Sequence, residues 1–209
     1  MKGIHSFEAA RNKRIDIAYC AQTHLQDIVS YANEHDYPRP YGKAFLLIAD
    51  PKNSTTNDET ERLLLNSSPI IHPDNIVKLT FADEEDPSVS DELMSETDAD
   101  KALALAKRIA GGSSRALARR SNPPTLIIAC EGGISRSGTI AAYLESTFNR
   151  NISWIFDTHM CMNSHVMRTL IEADDDLWGD DELLKEYAQR MMLEASMVQA
   201  HLWVEHHLS

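Results

Sequence analysis

One stretch, residues 125–149 with the sequence TLIIACEGGISRSGTIAAYLESTFN, constrains the fold more than any other part of this chain. It begins with a short apolar run, TLIIAC, which is typical of a strand buried on both faces of a parallel sheet. Two adjacent glycines then indicate a tight turn, and the residues from 137 to 149 predict a helix. A strand, a turn and a helix in direct succession indicate an α/β protein.

Other segments extend this pattern along the chain. Three more apolar runs predict strands at 14–20, 43–50 and 75–81. Helices are expected at 23–36, from about 98 to 110, at 163–177 and at 181–207. GGSS at 111–114 is expected to break or kink its helix, the segment 51–69 to form a loop with at most one helical turn, and the acidic segment 82–100 to form a solvated loop. We therefore predict an α/β fold with a central, mostly parallel sheet flanked by helices.

Length and charge set the broad class of protein. The 209 residues suit a single domain, 1–209, in which 181–207 is a C-terminal helical extension. The net charge of −12 disfavours binding to nucleic acid or to an anionic membrane. No apolar run reaches the length of about 18 residues that a membrane-spanning helix requires. The first residues lack the apolar core of a secretion signal, so we expect a cytoplasmic protein.

The glycine turn places a cysteine where α/β proteins bind ligands. Cys130 lies at the carboxyl end of the predicted central strand and just before a helix. Gly132 and Gly133 allow the backbone to curl so that successive N–H groups converge on one point. The helix N-terminus adds unpaired N–H groups and a partial positive charge. These features predict an oxyanion site of the size of phosphate.

Two side chains after the turn complete the chemistry of this loop. The planar guanidinium of Arg136 can bind two phosphoryl oxygens at once. Thiols at a helix N-terminus beside an arginine ionise readily, which makes Cys130 a candidate nucleophile directed at phosphorus. Ser137 can donate a hydrogen bond to the cysteine sulfur and favour its departure in a second step.

These residues carry a resemblance to a known superfamily. Cys130, Gly133, Arg136 and Ser137 match the Cys-x-x-Gly-x-x-Arg-Ser/Thr signature of cysteine-dependent protein tyrosine and dual-specificity phosphatases. CEGGISRSGT looks most like the compact dual-specificity and the bacterial or phage-type members. The stretch 163–179 also resembles the segment that follows the active-site helix in bacterial tyrosine-phosphatase-like proteins. The resemblance covers about residues 14 to 180.

The resemblance implies a two-step hydrolysis of phosphate monoesters without a metal or other cofactor. Cys130 would attack phosphorus, and water would release the cysteinyl-phosphate. The expected substrates are phosphorylated proteins, most of all phosphotyrosine, with phosphoserine and phosphothreonine accepted if the pocket is shallow. The phosphoryl oxygens would be bound by the loop residues Glu131, Gly132, Gly133, Ile134, Ser135 and Arg136.

The resembled enzymes also use an aspartic acid from a loop after a different strand. It protonates the leaving group and then acts as a base on water. Compact members carry it shortly after an apolar strand that ends in an aromatic residue, which indicates Asp83. Asp86 is the first alternative, and another acid of the same loop is the second.

Two residues depart from what the resemblance leads us to expect. Ala129 stands where the family usually has a histidine that helps to stabilise the thiolate, so we expect slower turnover. A pseudophosphatase that binds phosphate without hydrolysing it is the alternative. Glu131 adds an acid to a loop that has no further basic residue between 131 and 135, which argues against a phosphoinositide substrate. The net negative charge argues in the same way against an RNA 5′-phosphate, although both substrates stay open.

The remaining candidates have structural explanations. Three widely spaced cysteines argue against a disulfide framework or a zinc site. Cys20 and Cys161 are expected to be buried and inert, and a redox partnership with Cys130 is the alternative. Asn163 is expected to cap a helix, or else to brace the phosphate loop.

The last predicted helix carries two further patterns. The near-heptad spacing of its apolar residues predicts a helix that docks on its own domain, or else a homodimer through this helix; these residues are Leu184, Met191, Ala195, Val198 and Leu202. His201, Glu205 and His206 share helical spacing, but a solvated helix end explains them better than a metal site.

Overall fold

A five-stranded sheet forms the centre of the computed structural model, which describes residues 4–6, 15–27, 44–67, 71–86, 88–116, 125–175 and 182–208. The strand order is β1-β2-β5-β3-β4. Strands β2, β5, β3 and β4 run parallel, and β1 pairs antiparallel with β2 at one edge. The predicted mostly parallel sheet is confirmed, whereas the edge strand β1 was not predicted. The strands are β1 (Ile4–Ser6), β2 (Asp16–Ala21), β3 (Ala44–Ala49), β4 (Ile76–Thr80) and β5 (Thr125–Cys130).

Strand β5 is central because it pairs on both sides. Cys130, its last residue, aligns with Ala21 in β2 and with Ile48 in β3. The residues of β5 from 126 to 130 are buried, as the continuous apolar run predicts. The carboxyl ends of three parallel strands therefore meet at Cys130, and the loops that follow them can reach one another.

Helices cover both faces of the sheet. Helices α3, α4, α5 and α6 contribute to one apolar cluster, and α1 and α2 contribute Leu25 and Leu64 to the cluster on the other face. The predicted helix 23–36 is observed for residues 22–27, and the remainder lies outside the described residues. The α-helices are α1 (22–27), α2 (Thr55–Ser67), α3 (Glu96–Ala116), α4 (Arg136–Asn149), α5 (Ser164–Ala173) and α6 (Glu182–Leu208). Short 3-10 helices occupy Pro51–Asn53, Pro73–Asn75 and Ser153–Phe156.

Helix α2 corrects the expectation of a loop at 51–69. It is a helix of 13 residues whose buried positions are Asn57, Thr60 and Leu64. The two polar ones are satisfied by Gln22, which donates to Asn57 Oδ1 at 2.8 Å and accepts from Thr60 Oγ1 at 2.8 Å. Because two of the three inward positions are polar, the apolar periodicity that signals a helix is missing from the sequence.

The expectation that GGSS at 111–114 breaks or kinks its helix is wrong. Helix α3 runs through this sequence to Ala116 without a break. Each glycine costs a helix about 1 kcal/mol relative to alanine, and the packing of the preceding turns outweighs this cost. The helix also starts earlier than expected, at Glu96, because the Ser95 hydroxyl accepts a hydrogen bond from Asp98 N at 3.2 Å. Most of the acidic segment before it forms a loop, as predicted.

Helix α6 packs on the same chain. Ala188 and Gln199 are buried, and the Gln199 side chain accepts a hydrogen bond from Met162 N at 3.1 Å. Met197, Val198 and Val204 are exposed, and a homodimer through this helix stays a prediction. His201 and Glu205 form an exposed pair at 3.2 Å. Within the described residues, no helix is long and apolar enough to cross a membrane.

Candidate active site

The Cys130 sulfur lies at the base of the loop formed by residues 131–135. Gly133 N donates a hydrogen bond to Sγ at 3.1 Å, and Ser137 Oγ lies 3.1 Å from the same sulfur. Cys130 is buried at the end of β5. These two contacts place hydrogen-bonding groups next to the sulfur, an arrangement that suits a cysteine acting as a nucleophile and later as a leaving group.

The backbone at Gly133 accounts for the shape of this loop. Gly133 has a φ of +66°, and a Cβ there would lie 2.2 Å from Ala21 N. A side chain at this position is therefore excluded by both the backbone conformation and the end of β2. A Cβ on Gly132 would meet nothing within 4 Å. The glycine requirement expected at both positions is thus found at Gly133 and not at Gly132.

Helix α4 begins directly after the loop, at Arg136. The first helical hydrogen bond runs from Thr139 N to Ser135 O at 2.8 Å, so the N–H groups before Thr139 precede the helical ladder. The side chain of Ser135 does not cap the helix. The positive end of the helix dipole therefore lies at the loop and favours an anion.

Arg136 is the first residue of this helix. It is only 3% exposed, and its Nη1 donates to the Phe81 carbonyl at 2.7 Å. Nη2 lies 3.5 Å from a Glu131 oxygen, and Nε lies 3.7 Å from Asp83 Oδ2. Nε is buried without a hydrogen-bond acceptor. The guanidinium therefore has one fixed nitrogen and an edge that can bind the oxygens of an anion.

Asp83 lies against the loop 131–135. Its Oδ1 accepts from Ser135 Oγ at 2.7 Å and from Asn163 Nδ2 at 3.2 Å. Asp86 is exposed and accepts from Ser88 N at 2.8 Å. The hydrogen bonds from Ser88 lower the pKa of Asp86, which disfavours the protonated form that a general acid needs. Of the two candidates, Asp83 is the one that contacts the loop and lies beside Arg136.

Asn163 is the predicted N-cap of α5, since its Oδ1 accepts from Val166 N at 3.0 Å. Its Nδ2 group donates to Asp83 and also to the Glu84 carbonyl at 3.2 Å. Asn163 also reaches the loop indirectly, since its backbone N–H donates to Thr139 Oγ1 at 2.8 Å and Thr139 Oγ1 donates to the Ser135 carbonyl at 2.8 Å. Its side chain in addition holds the segment that carries Asp83.

Ala129 is completely buried on the face of the sheet opposite to Cys130. It packs in the cluster that contains Cys20 and Leu47, its two neighbours across the strands. An imidazole at this position would need space and a polar partner among these apolar side chains. In this chain Ala129, which packs among apolar side chains, takes the position of the histidine of the resembled family.

The other two cysteines, Cys20 and Cys161, differ in how deeply they are buried. Cys20 is fully buried, and burial, followed by the nearby Cys130, raises its pKa to about 12. The side chains of Cys20 and Cys130 belong to the clusters on opposite faces of the sheet, which argues against a disulfide between them. Cys161 is only partly buried, contrary to expectation. Burial, then Glu85 and Asp83, raise the pKa of Cys161.

Two contributors to the site were missed in the sequence. Asn53, in the 3-10 helix after β3, donates to Glu131 Oε1 at 3.0 Å. The Phe81 carbonyl anchors Arg136. The sequence did contain one signal for both residues, namely that Phe81 ends a predicted strand and Asn53 follows one. Residues that follow parallel strands meet at the same edge of the sheet. Nothing in the sequence distinguishes Asn53 from the other polar residues around it.

Comparisons with known proteins add a structural likeness and no match of sequence. No protein-family model matches the sequence, and no curated protein matches it. Among solved structures, the chain is similar to the crystal structure of PTPMT1 in complex with PI(5)P, with a TM-score of 0.46 and 12% sequence identity. The likeness covers 93% of this chain and 99% of that chain.

Proposed function

We propose that this protein is a cysteine-dependent phosphatase that hydrolyses phosphate monoesters. The observation that carries the proposal is that Cys130 and Arg136 stand at the two ends of the same loop, 131–135. The sulfur receives the Gly133 N–H at 3.1 Å, while the buried Arg136 Nε has no hydrogen-bond acceptor. A phosphoryl group above the sulfur would supply acceptors for Arg136 and for the helix N-terminus together.

In the first step, the Cys130 thiolate forms a bond to phosphorus. The bond between phosphorus and the ester oxygen breaks, and its electron pair stays on that oxygen. Asp83 transfers a proton to the oxygen, so the leaving group departs as a neutral phenol or alcohol. The phosphoryl oxygens are bound by Arg136 and by the backbone N–H groups of the loop.

In the second step, water attacks the phosphorus of the cysteinyl-phosphate, and Asp83 accepts a proton from that water. The bond between sulfur and phosphorus breaks, and phosphate leaves. The electron pair returns to Cys130 as a thiolate, to which the Ser137 hydroxyl, 3.1 Å away in the free site, donates a hydrogen bond. No metal or redox partner is needed to balance either step.

Phosphotyrosine in proteins is the substrate class that we favour. The resemblance of the loop to protein tyrosine and dual-specificity phosphatases supports it. Ile134 in the loop is 39% exposed, and it offers an apolar contact for an aromatic ring next to the phosphate. Phosphoserine and phosphothreonine are accepted if their shorter side chains can still reach the sulfur.

The decisive experiment measures hydrolysis of p-nitrophenyl phosphate by the wild type and by Cys130→Ser. We expect activity in the wild type and a loss of at least about a thousandfold in the variant, because an alcohol replaces the thiolate nucleophile. A substrate panel of phosphotyrosine peptide, phosphoserine peptide, phosphoinositide and RNA 5′-triphosphate then defines the class. A wild type no faster than Cys130→Ser would sink the enzyme proposal.

A phosphate-dependent binding module is the second candidate, and Ala129 is the observation that favours it. With an apolar residue there, the strand before Cys130 supplies no polar side chain to support the thiolate. Phosphotyrosine peptide that binds to the wild type in calorimetry, with no phosphate released over hours, would select this function.

A further inference from the structure

We infer that Glu131 is a specificity-determining residue, which makes the site favour phosphate monoesters flanked by positive charge. In a protein substrate, such a group is a phosphorylated residue with lysine or arginine beside it. This inference rests on the proposed function and names the substrate class of the same site.

The Glu131 carboxylate is held over the phosphate loop by two contacts. One oxygen lies 3.5 Å from Arg136 Nη2, and the other accepts from Asn53 Nδ2 at 3.0 Å. The Glu131 side chain is 33% exposed, so an incoming substrate can reach it. The carboxylate is thus fixed next to the group that binds the phosphate, yet it remains open to the rest of the substrate.

The charges around Arg136 are the physical reason for the proposed preference for positively charged substrates. Glu131 faces Nη2, and Asp83 faces Nε at 3.7 Å, so two carboxylates flank one guanidinium. A bound phosphate brings further negative charge to this group. A second anionic group on the substrate would be repelled by the carboxylates, whereas an ammonium or guanidinium beside the phosphate would be attracted to Glu131.

Asn53 is a positioning residue in this arrangement. It belongs to the 3-10 helix Pro51–Asn53, which begins where β3 ends and is capped by Asp50. Its amide holds Oε1 of Glu131, while Arg136 lies beside Oε2. If Asn53 is removed, the carboxylate keeps its charge but loses its orientation, so part of the selectivity should disappear.

The test uses two phosphotyrosine peptides that differ only in flanking lysine or flanking glutamate. We expect the wild type to favour the lysine peptide by about tenfold or more in kcat/KM, which corresponds to one close charge contact. Glu131→Gln should reduce this ratio several-fold, and Asn53→Ala should reduce it in the same direction. Glu59→Gln removes the same charge from the exposed surface of α2 and should leave the ratio unchanged.

Two further measurements separate this inference from the proposed function. Hydrolysis of p-nitrophenyl phosphate, which has no flanking charge, tests the phosphatase activity alone. If hydrolysis is absent, the ratio of the two peptide dissociation constants for Cys130→Ser, with and without Glu131→Gln, still tests the selectivity.

Three results would overturn the inference. One is a ratio of kcat/KM between the lysine peptide and the glutamate peptide that is the same in the wild type and in Glu131→Gln. Another is a higher kcat/KM on a doubly phosphorylated phosphoinositide than on the lysine peptide. The third is a wild type that neither hydrolyses nor binds either peptide.

Discussion

Ser135 Oγ donates a hydrogen bond of 2.7 Å to Asp83 Oδ1 across 52 residues of sequence. The position of Ser135, just before a helix, is one where a serine side chain commonly caps the helix. Here the hydroxyl is directed to the carboxylate instead, and the helix N–H groups stay available to an anion. This hydrogen bond joins Asp83 to the loop 131–135, and Asn163 Nδ2 donates to the same carboxylate oxygen at 3.2 Å.

Asp83→Asn should lower kcat by about a hundredfold or more, because an amide cannot donate the proton that the leaving group needs. The loss should be larger for phosphotyrosine than for p-nitrophenyl phosphate, whose more acidic phenol departs with less help. Steady-state kinetics on both substrates measure this difference. Asp86→Asn is the matched control and should keep kcat within about twofold, since its carboxylate contacts Ser88. A larger loss of kcat in Asp86→Asn than in Asp83→Asn would assign the proton transfer to Asp86.

Asn163→Ser should separate the two roles of Asn163. Serine is a good N-cap, so the free energy of unfolding should change by less than about 0.5 kcal/mol. Serine lacks the amide donor to Asp83, however, so kcat should fall several-fold while KM changes little. Asn163→Ala should lose both functions and about 1 kcal/mol of stability. If Asn163→Ser keeps full kcat, the contact with Asp83 plays no part in catalysis.

Gly133→Ala should be far more damaging than Gly132→Ala. The new Cβ at Gly133 would lie 2.2 Å from Ala21 N in a backbone of positive φ, so we expect a loss of more than about 2 kcal/mol together with activity. Gly132→Ala places its Cβ in open space and should cost less than about 0.5 kcal/mol. Urea unfolding followed by circular dichroism measures both values. Equal losses would show that the loop has a different shape in solution.

Cys20→Val should make the folded protein less sensitive to alkaline pH. Burial raises the pKa of Cys20 from 9.0 to about 12, so the thiol stays protonated in the folded chain while it ionises in the unfolded chain. The stability due to this group is complete below pH 9 and is lost as the pH rises towards 12, by up to about 1.4 kcal/mol per pH unit.

The measurement is the difference in unfolding free energy between the wild type and Cys20→Val at pH 8, 9 and 10. The pKa of Tyr19 is also raised, by burial and then by Asp157, so both proteins should lose stability at high pH. The wild type should lose more. Parallel pH profiles for the two proteins would show that Cys20 ionises normally.

The sequence by itself determined the parts of this protein that lie in one continuous segment. Strand β5, the turn and helix α4 follow from the apolar run, the glycines and the helical residues of 125–149. Cys130, Arg136 and Ser137 lie near one another because only the short loop 131–135 separates the end of β5 from the start of α4. The resemblance of the loop pointed to an aspartic acid after another strand; Asp83 contacts Ser135 and lies 3.7 Å from Arg136 Nε, and its role as the general acid stays a prediction.

Only the tertiary structure decided the contacts between segments that are distant in the chain. Helix α2 is stabilised by polar side chains that pair with Gln22, and α3 passes through two glycines because its earlier turns are packed. Asn53 reaches Glu131, and Asn163 reaches Asp83, across 78 and 80 residues. Hydrogen bonds of this kind leave no periodic pattern in the sequence, because each depends on where the sheet brings the ends of its strands together.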